Sequence, residues 1–247
     1  MKQESLNKSI IRDFYRRAVA QGDIAFADEL ISEDYIQHSL VVKPGKAGLL
    51  EALAMMKQMP KPASSSPPFM RLLAEGDYVI TNMSFDWGGR QKAVLDLYRL
   101  EGGKIVEHWD AMQDQSDTSL NGNALMDGPM PLDDDTLTAD NKAIVKAFYQ
   151  QVLVKRDFSV LPDFVAHNLI QHRSDIANGL DGLSMYWQQQ SESLTIGNVA
   201  RIIGEADFVV IQYESRQGKK ITTFYDIFRL SNGKIVEQWG LHQVATL

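Results

Sequence analysis

The chain has no cysteine at any of its 247 positions. That excludes disulfides, a thiolate nucleophile and cysteine-ligated metal sites. It also has no basic cluster. Its 25 lysines and arginines are outnumbered by 32 acidic residues, for a formal charge of −7. Such a balance argues against nucleic acid and anionic membranes as partners. No apolar run approaches the ~20 residues of a membrane span. The opening MKQESLNKSIIRDFYRR carries no apolar core of a signal peptide. A cytoplasmic protein is the expectation. Phosphate loops, nucleophile elbows and the HExxH metal spacing are missing as well. The expectation is therefore no cofactor and no metal.

What the chain does contain is one sentence written twice. DLYRLEGGKIVEHWDAMQ, from Asp96 to Gln113, recurs as DIFRLSNGKIVEQWGLHQ, from Asp226 to Gln243. Matched positions differ by a constant 226 − 96 = 130. Further upstream NKSIIRDFY from Asn7 recurs as NKAIVKAFY from Asn141, an offset of 141 − 7 = 134. Gln37-His38 and Gly48 recur at that same offset as Gln171-His172 and Gly182. This predicts domains at 1–115 and 139–247, joined by a linker at 116–138 that has no periodicity.

Within the first copy, Ile10, Ile11, Phe14, Tyr15, Ala18 and Val19 fall at helical spacing. Gly22-Asp23 ends that helix and caps a short second one, about 24–31. Tyr35 to His38 is a short extended piece. A third helix spans about 46–59 and stops at a loop rich in proline, about 60–68. Four strand-like runs follow: 69–74, 78–87, 92–100 and 104–112. The turns between them carry glycine, which takes the positive φ of tight hairpins. The second copy repeats this order, with strands at about 199–204, 208–216, 220–230 and 234–244. Segregated helices and strands make each copy α+β.

The hairpin at Gly102-Gly103 carries the candidate chemistry. Strand residues two apart share a face. His108, Asp110 and Met112 therefore point one way, while Glu107 and Trp109 point the other. Asp96 and Tyr98 share a face on the preceding strand, and antiparallel pairing brings Asp96 beside Asp110. Two carboxylates and an imidazole on one concave face form an acid/base set.

The FY-bearing first helix, the YIQH piece and DLYRLEGGKIVEHWD together resemble the SnoaL-like polyketide cyclase group of the NTF2-like superfamily, in tandem duplication. The resemblance covers each repeat end to end. It implies two tandem NTF2-like cones, each with three helices packed on a curved, mainly antiparallel sheet. It implies a small-molecule enzyme of lyase or isomerase type that moves a proton next to a carbonyl in aldol-type cyclisation, condensation or isomerisation. The alternative is a non-catalytic ligand-binding or scaffold protein of the same fold. Asp110 matches the cyclases' general acid/base, Asp96 the pocket residue on the preceding strand, and His38 a pocket histidine, with His108 beside them. Tyr15 matches the oxyanion-donating tyrosine of the related ketosteroid isomerases. Their catalytic base would fall near His38 or Ser39, and neither is a carboxylate, which argues against steroid isomerisation. Val94 stands where the related epoxide hydrolases keep an arginine, which argues against that chemistry. Tyr98 and Met112 are expected to line the substrate site. In the second copy Tyr149, His172 and Asp226 persist as ligand-binding candidates, but Asp110 becomes Gly240 and His108 becomes Gln238. The expected partners are a small-molecule substrate or ligand, the second cone as an internal pseudo-dimer, and a further copy as homodimer.

Overall fold

In a computed structural model of the chain, residues 2–58, 69–87, 89–116, 118–190 and 194–246 are described. The proline-rich loop expected at 60–68 lies outside them. The chain divides into two compact units, one of Met1–Arg90 with Val94–Ala111 and one of Gln91–Ala93 with Met112–Leu247.

The first unit begins with helix α1 (Gln3–Asp13), which runs on into a π-helical stretch, Phe14–Ala20. Helix α2 (Ile24–Leu30) follows, capped by the Asp23 carboxylate, which accepts from the Phe26 N–H at 3.1 Å. Strand β1 (Ile31–Gln37), helix α3 (Gly45–Gln58) and strands β2 (Phe69–Glu75), β3 (Tyr78–Trp87), β4 (Arg90–Glu101) and β5 (Lys104–Asp114) complete the order. The sheet order is β1-β5-β4-β3-β2, with β1 parallel to β5. Gly102 and Gly103 take φ of +57° and +80° between β4 and β5, the conformation that a two-residue hairpin turn requires. Ile11, Phe14 and Ala18 on one face of the first helix are buried against Leu72, Val79, Tyr98, Leu100 and Ile105 of the sheet. Apolar side chains at helical spacing thus meet apolar side chains at strand spacing, and that contact closes the cone.

The second unit repeats the plan. Helix α4 (Thr138–Phe148) continues into a π-helical stretch, Tyr149–Val154. Helix α5 (Leu161–Phe164), strand β6 (Val165–Gln171), helix α6 (Gly179–Gln189) and strands β7 (Thr195–Glu205), β8 (Phe208–Gln217), β9 (Lys220–Ser231) and β10 (Lys234–Thr246) follow. Its sheet order is β6-β10-β9-β8-β7, again with the first strand parallel to the last. The fold is α+β, two units each with helices on a five-stranded, mainly antiparallel sheet. Among the described residues no helix is long and apolar enough to cross a membrane.

The stretch read as a linker is attached to the second unit at several of its described residues. Asn121 donates to the carbonyls of Arg173 and Ile176 at 2.6 and 2.8 Å, and Asn123 to that of Gln171 at 2.9 Å. Leu125 and Met126 are buried. Sequence periodicity has no sensitivity to such a segment, because it is held by individual bonds rather than by a repeating face.

Candidate active site

The site of the first unit lies where β5 sits between β4 and β1. His108 is the middle of it. Its Nε2 lies 2.9 Å from Asp96 Oδ1 and its Nδ1 3.0 Å from Gln37 Oε1. The Gln37 oxygen also accepts from the Ser39 N–H at 3.3 Å, which fixes the orientation of that amide. Both ring nitrogens therefore face side-chain oxygens, Asp96 on one side and Gln37 on the other, which fixes the ring's position. The Tyr98 ring stacks on it, 4.5 Å between centroids.

Asp96 is fully engaged. Its Oδ2 accepts from the Tyr15 hydroxyl and, at 3.4 Å, from Thr81. Tyr15 Oη also lies 3.0 Å from both Thr81 Oγ1 and Tyr98 Oη. Burial and then the Asp96 charge push the Tyr15 hydroxyl well above its ordinary pKa, and the same two causes act on Tyr98. These hydroxyls keep their protons and hold the carboxylate.

Asp110 differs from Asp96 in what it has left over. Its Oδ2 accepts from Ser39 Oγ at 2.9 Å, and its Oδ1 is buried with no hydrogen-bond partner. Burial raises its pKa; the His108 charge pulls it back, and the Asp96 charge pushes it up again. The net shift is upward.

His38 does not join this group. Expected in the wall beside the carboxylates, it points to the other face of the sheet. Its Nε2 lies 2.9 Å from Glu107 Oε1, its ring stacks on Trp109 at 4.7 Å, and its side chain is 40% exposed. The cause is alternation in the parallel pair: Gln37 lies opposite His108, so His38 takes the parity of Trp109. Reading that alternation through YIQHS places Tyr35, Gln37 and Ser39 inward and leaves Ile36 and His38 outside. The last three inward residues were missed in the sequence, although the period-2 rule was enough to find them. Met112 continues the parity of Asp110 but is 47% exposed. A hollow of about 380 Å³ bounded by Ser32, Asp34, Arg99, Glu101, Lys104 and Val106 holds none of these side chains. Arg99 there is already paired with Glu107 at 2.8 Å. Among the described residues no group of three or more His, Asp and Glu is placed to hold a metal ion.

Residues 11–108 match the family model of the SnoaL-like domain. The match to the SnoaL-like domain runs through most of the first unit. No curated protein matches the chain. Among solved structures it is similar to a candidate ketosteroid isomerase from Kribbella flavida at 12% identity, covering 45% of this chain and 84% of the other, TM-score 0.42. It is similar to an NTF2-like protein of unknown function from Mesorhizobium loti at 15% identity, covering 46% and 99%, TM-score 0.41. It is similar also to a candidate polyketide cyclase from Streptomyces antibioticus at 17% identity, covering 42% and 91%, TM-score 0.37.

The second unit keeps the frame of the first and changes its contents. Asp226 is fully buried; its Oδ2 accepts from Tyr213 at 2.8 Å, and its Oδ1 has no partner. Burial pushes its pKa up to about 6, against the pull of Arg173 and the Tyr213 hydroxyl. Tyr149 is bonded to the Gly197 carbonyl and not to Asp226. His172 lies on the same side of its sheet as Trp239, as His38 does beside Trp109, but it is buried, 2.8 Å from Glu237 Oε1, with its Nδ1 on the Ala124 carbonyl at 2.7 Å. At Gly240 a Cβ would meet Asp226 Oδ1 at 2.5 Å and Arg173 Cδ at 2.9 Å. Arg173, which stands where the first unit has Ser39 (173 − 39 = 134), takes the room that Asp110 has in the first unit.

Proposed function

We propose that the SnoaL-like domain transfers a proton next to a carbonyl of a small molecule, with Asp110 as the general base. One observation carries this reading: the Asp110 carboxylate has one oxygen steadied by Ser39 and the other buried and unpartnered. A free aspartate, with a pKa of about 3.9, is a weak base toward a ketone. Burial and the neighbouring Asp96 charge make Asp110 a stronger one. Asp96 itself is not the base, because Tyr15, Thr81 and His108 occupy both its oxygens. Its part is to anchor His108, whose Nε2 lies 2.9 Å from Asp96 Oδ1. Once the α-proton is removed, the substrate's own electrophile decides between ring closure and isomerisation. None of these steps calls on a cofactor.

The second cone supports the scaffold reading. Positions holding Tyr35, Thr81, Tyr98 and Asp110 in the first unit hold Leu169, Ile211, Phe228 and Gly240 in the second. Leu169, Ile211 and Phe228 are buried in its core.

The test is α-proton exchange of small β-keto compounds in D₂O. Asp110→Asn is expected to lower the rate about 10²–10⁴-fold and leave binding nearly intact. Asp226→Asn is expected to leave the rate unchanged. If Asp226→Asn were the damaging change, the site would move to the second cone. If neither changed it, a binding role for both cones would be the better reading.

A further inference from the structure

The first unit has three buried polar side-chain atoms with no partner among the described residues: Tyr35 Oη, Gln37 Nε2 and Asp110 Oδ1. All three belong to inward-facing residues of the neighbouring strand segments β1 and β5. Tyr35 is 4% exposed, and the charges of both Asp96 and Asp110 act on it. The Gln37 amide is not free to turn round, since its oxygen is taken by His108 and by the Ser39 N–H. A buried donor without an acceptor is costly in a folded protein, and two on the same inner face as an unpartnered carboxylate oxygen point to a ligand that would satisfy them.

The second unit is the internal control. There Tyr35 is replaced by Leu169, and the amide of Gln171 donates to Gln238 Oε1 at 3.0 Å, so that its nitrogen is satisfied. Asp110 is replaced by Gly240. The three unpartnered atoms vanish together, in the unit that also loses the base. What persists is the frame: Asp226, Tyr149, and the His172–Glu237–Arg229 group that repeats His38–Glu107–Arg99. A frame explanation of Tyr35 predicts that it persists with the frame, and it does not; Gln37 persists as Gln171, but there its nitrogen has an acceptor in Gln238.

We propose that Tyr35 Oη and Gln37 Nε2 are catalytic donors that together hold the substrate oxygen on which negative charge develops. The inference rests on Asp110 as the base. In the step, Asp110 Oδ1 forms a bond to the α-proton, the C–H electron pair becomes the C=C bond, and the carbonyl π pair moves onto oxygen. The two donors keep their protons throughout, and return of the proton from Asp110 to carbon reverses the step. Burial raises the Tyr35 pKa far above neutrality, with the Asp96 and Asp110 charges adding to it, so its hydroxyl stays a donor. The oxyanion role that the resemblance implies for Tyr15 passes to these two, because Tyr15 is spent on Asp96.

The experiment uses the full chain, native and as Tyr35→Phe, Gln37→Glu and Asp110→Asn. Binding of 4-nitrophenolate, a coloured oxyanion that undergoes no proton transfer to carbon, is measured by absorbance. Exchange of ethyl acetoacetate α-protons is measured by NMR. Gln37→Glu keeps the oxygen that His108 and Ser39 need and puts a carboxylate oxygen where the amide N–H donor stood. Each donor variant is expected to bind 4-nitrophenolate about 10- to 100-fold more weakly. Each should slow exchange by roughly 10²-fold in kcat, with KM changed far less. Tyr35→Phe should melt at the native temperature, since its hydroxyl has no partner to lose. Native 4-nitrophenolate affinity in either donor variant, with exchange still abolished in Asp110→Asn, overturns this inference and leaves the base in place. A native protein that neither binds 4-nitrophenolate nor exchanges the ester overturns both.

Discussion

A buried carboxylate with one oxygen left over resists ionising, and Asp226 is the strongest case in the chain. Its native pKa is about 6 against an ordinary 3.8. Between those values the native state keeps a proton that the unfolded state has released, so stability falls as pH rises through the window. The loss is complete above about 6 and is of order a few kcal/mol. Asp226→Asn is expected to flatten this part of the pH profile, read as urea midpoints at about pH 4 and about pH 8. Equal pH slopes in the native and variant proteins would show that Asp226 ionises normally. Asp96 stands in a different balance, with both oxygens engaged by Tyr15, Thr81 and His108. Asp96→Ala leaves those buried groups without their shared partner and is expected to cost about 1–3 kcal/mol by denaturant unfolding. Gly240→Asp alone is expected to destabilise the second unit, because the new side chain meets Asp226 and Arg173. Adding Arg173→Ser should recover part of the loss, and an additive double variant would show that the two positions do not share one space.

At the scale of elements, the repeated glycines Gly48 and Gly182 have a steric cause. A Cβ at Gly48 would lie 2.1 Å from the Lys43 carbonyl oxygen, and one at Gly182 would lie 2.3 Å from that of Ala177. Backbone oxygen cannot yield as a side-chain tip can. Each of α3 and α6 therefore packs its first turns against the preceding loop only because the side chain is absent. Gly48→Ala and Gly182→Ala are each expected to cost about 1–3 kcal/mol, measured as a shift in the unfolding midpoint. The hairpin turns give the opposite case: at Gly102 and Gly103 a Cβ meets nothing within 4 Å, and the requirement is the positive φ alone. Asn232 meets it at +51° with a side chain in place.

In the whole molecule, the segment leading into α4 belongs physically to the second unit. Asn121 bridges two carbonyls, the Ala124 carbonyl meets His172, and the Asp127 carbonyl accepts from Trp239 Nε1 at 2.7 Å. Asn121→Ala leaves both bridged carbonyls without that donor. It is expected to lower the stability of the second unit by about 1–3 kcal/mol. An unchanged denaturation midpoint would show the segment to be a passive tether. The two cones thus divide the work differently. The first keeps polar atoms in reserve on its inner face, and the second spends the same positions on Leu169, Ile211 and Phe228.

The sequence by itself determined the repeat, the α+β order, the hairpin turns and the shared face of Asp96, His108 and Asp110. Those are local properties: period 2 along a strand, period 3.6 along a helix, and glycine where φ is positive. The same local rule also held the inward run Tyr35, Gln37, Ser39 and the outward turn of His38. A histidine next to a glutamine drew attention by its chemistry instead of its parity. Only the tertiary structure decided which inward polar atoms are spent and which remain. Tyr15 meets Asp96 from 81 residues away, Ser39 meets Asp110 from 71, and Asn121 meets Arg173 from 52. Whether a buried donor finds an acceptor is settled by such long-range placement, and no window along the chain contains both partners. The same reason hid Arg173: in sequence it is one cation after a Gln-His pair, and only the packed cone shows it standing in the space where the first unit keeps its base.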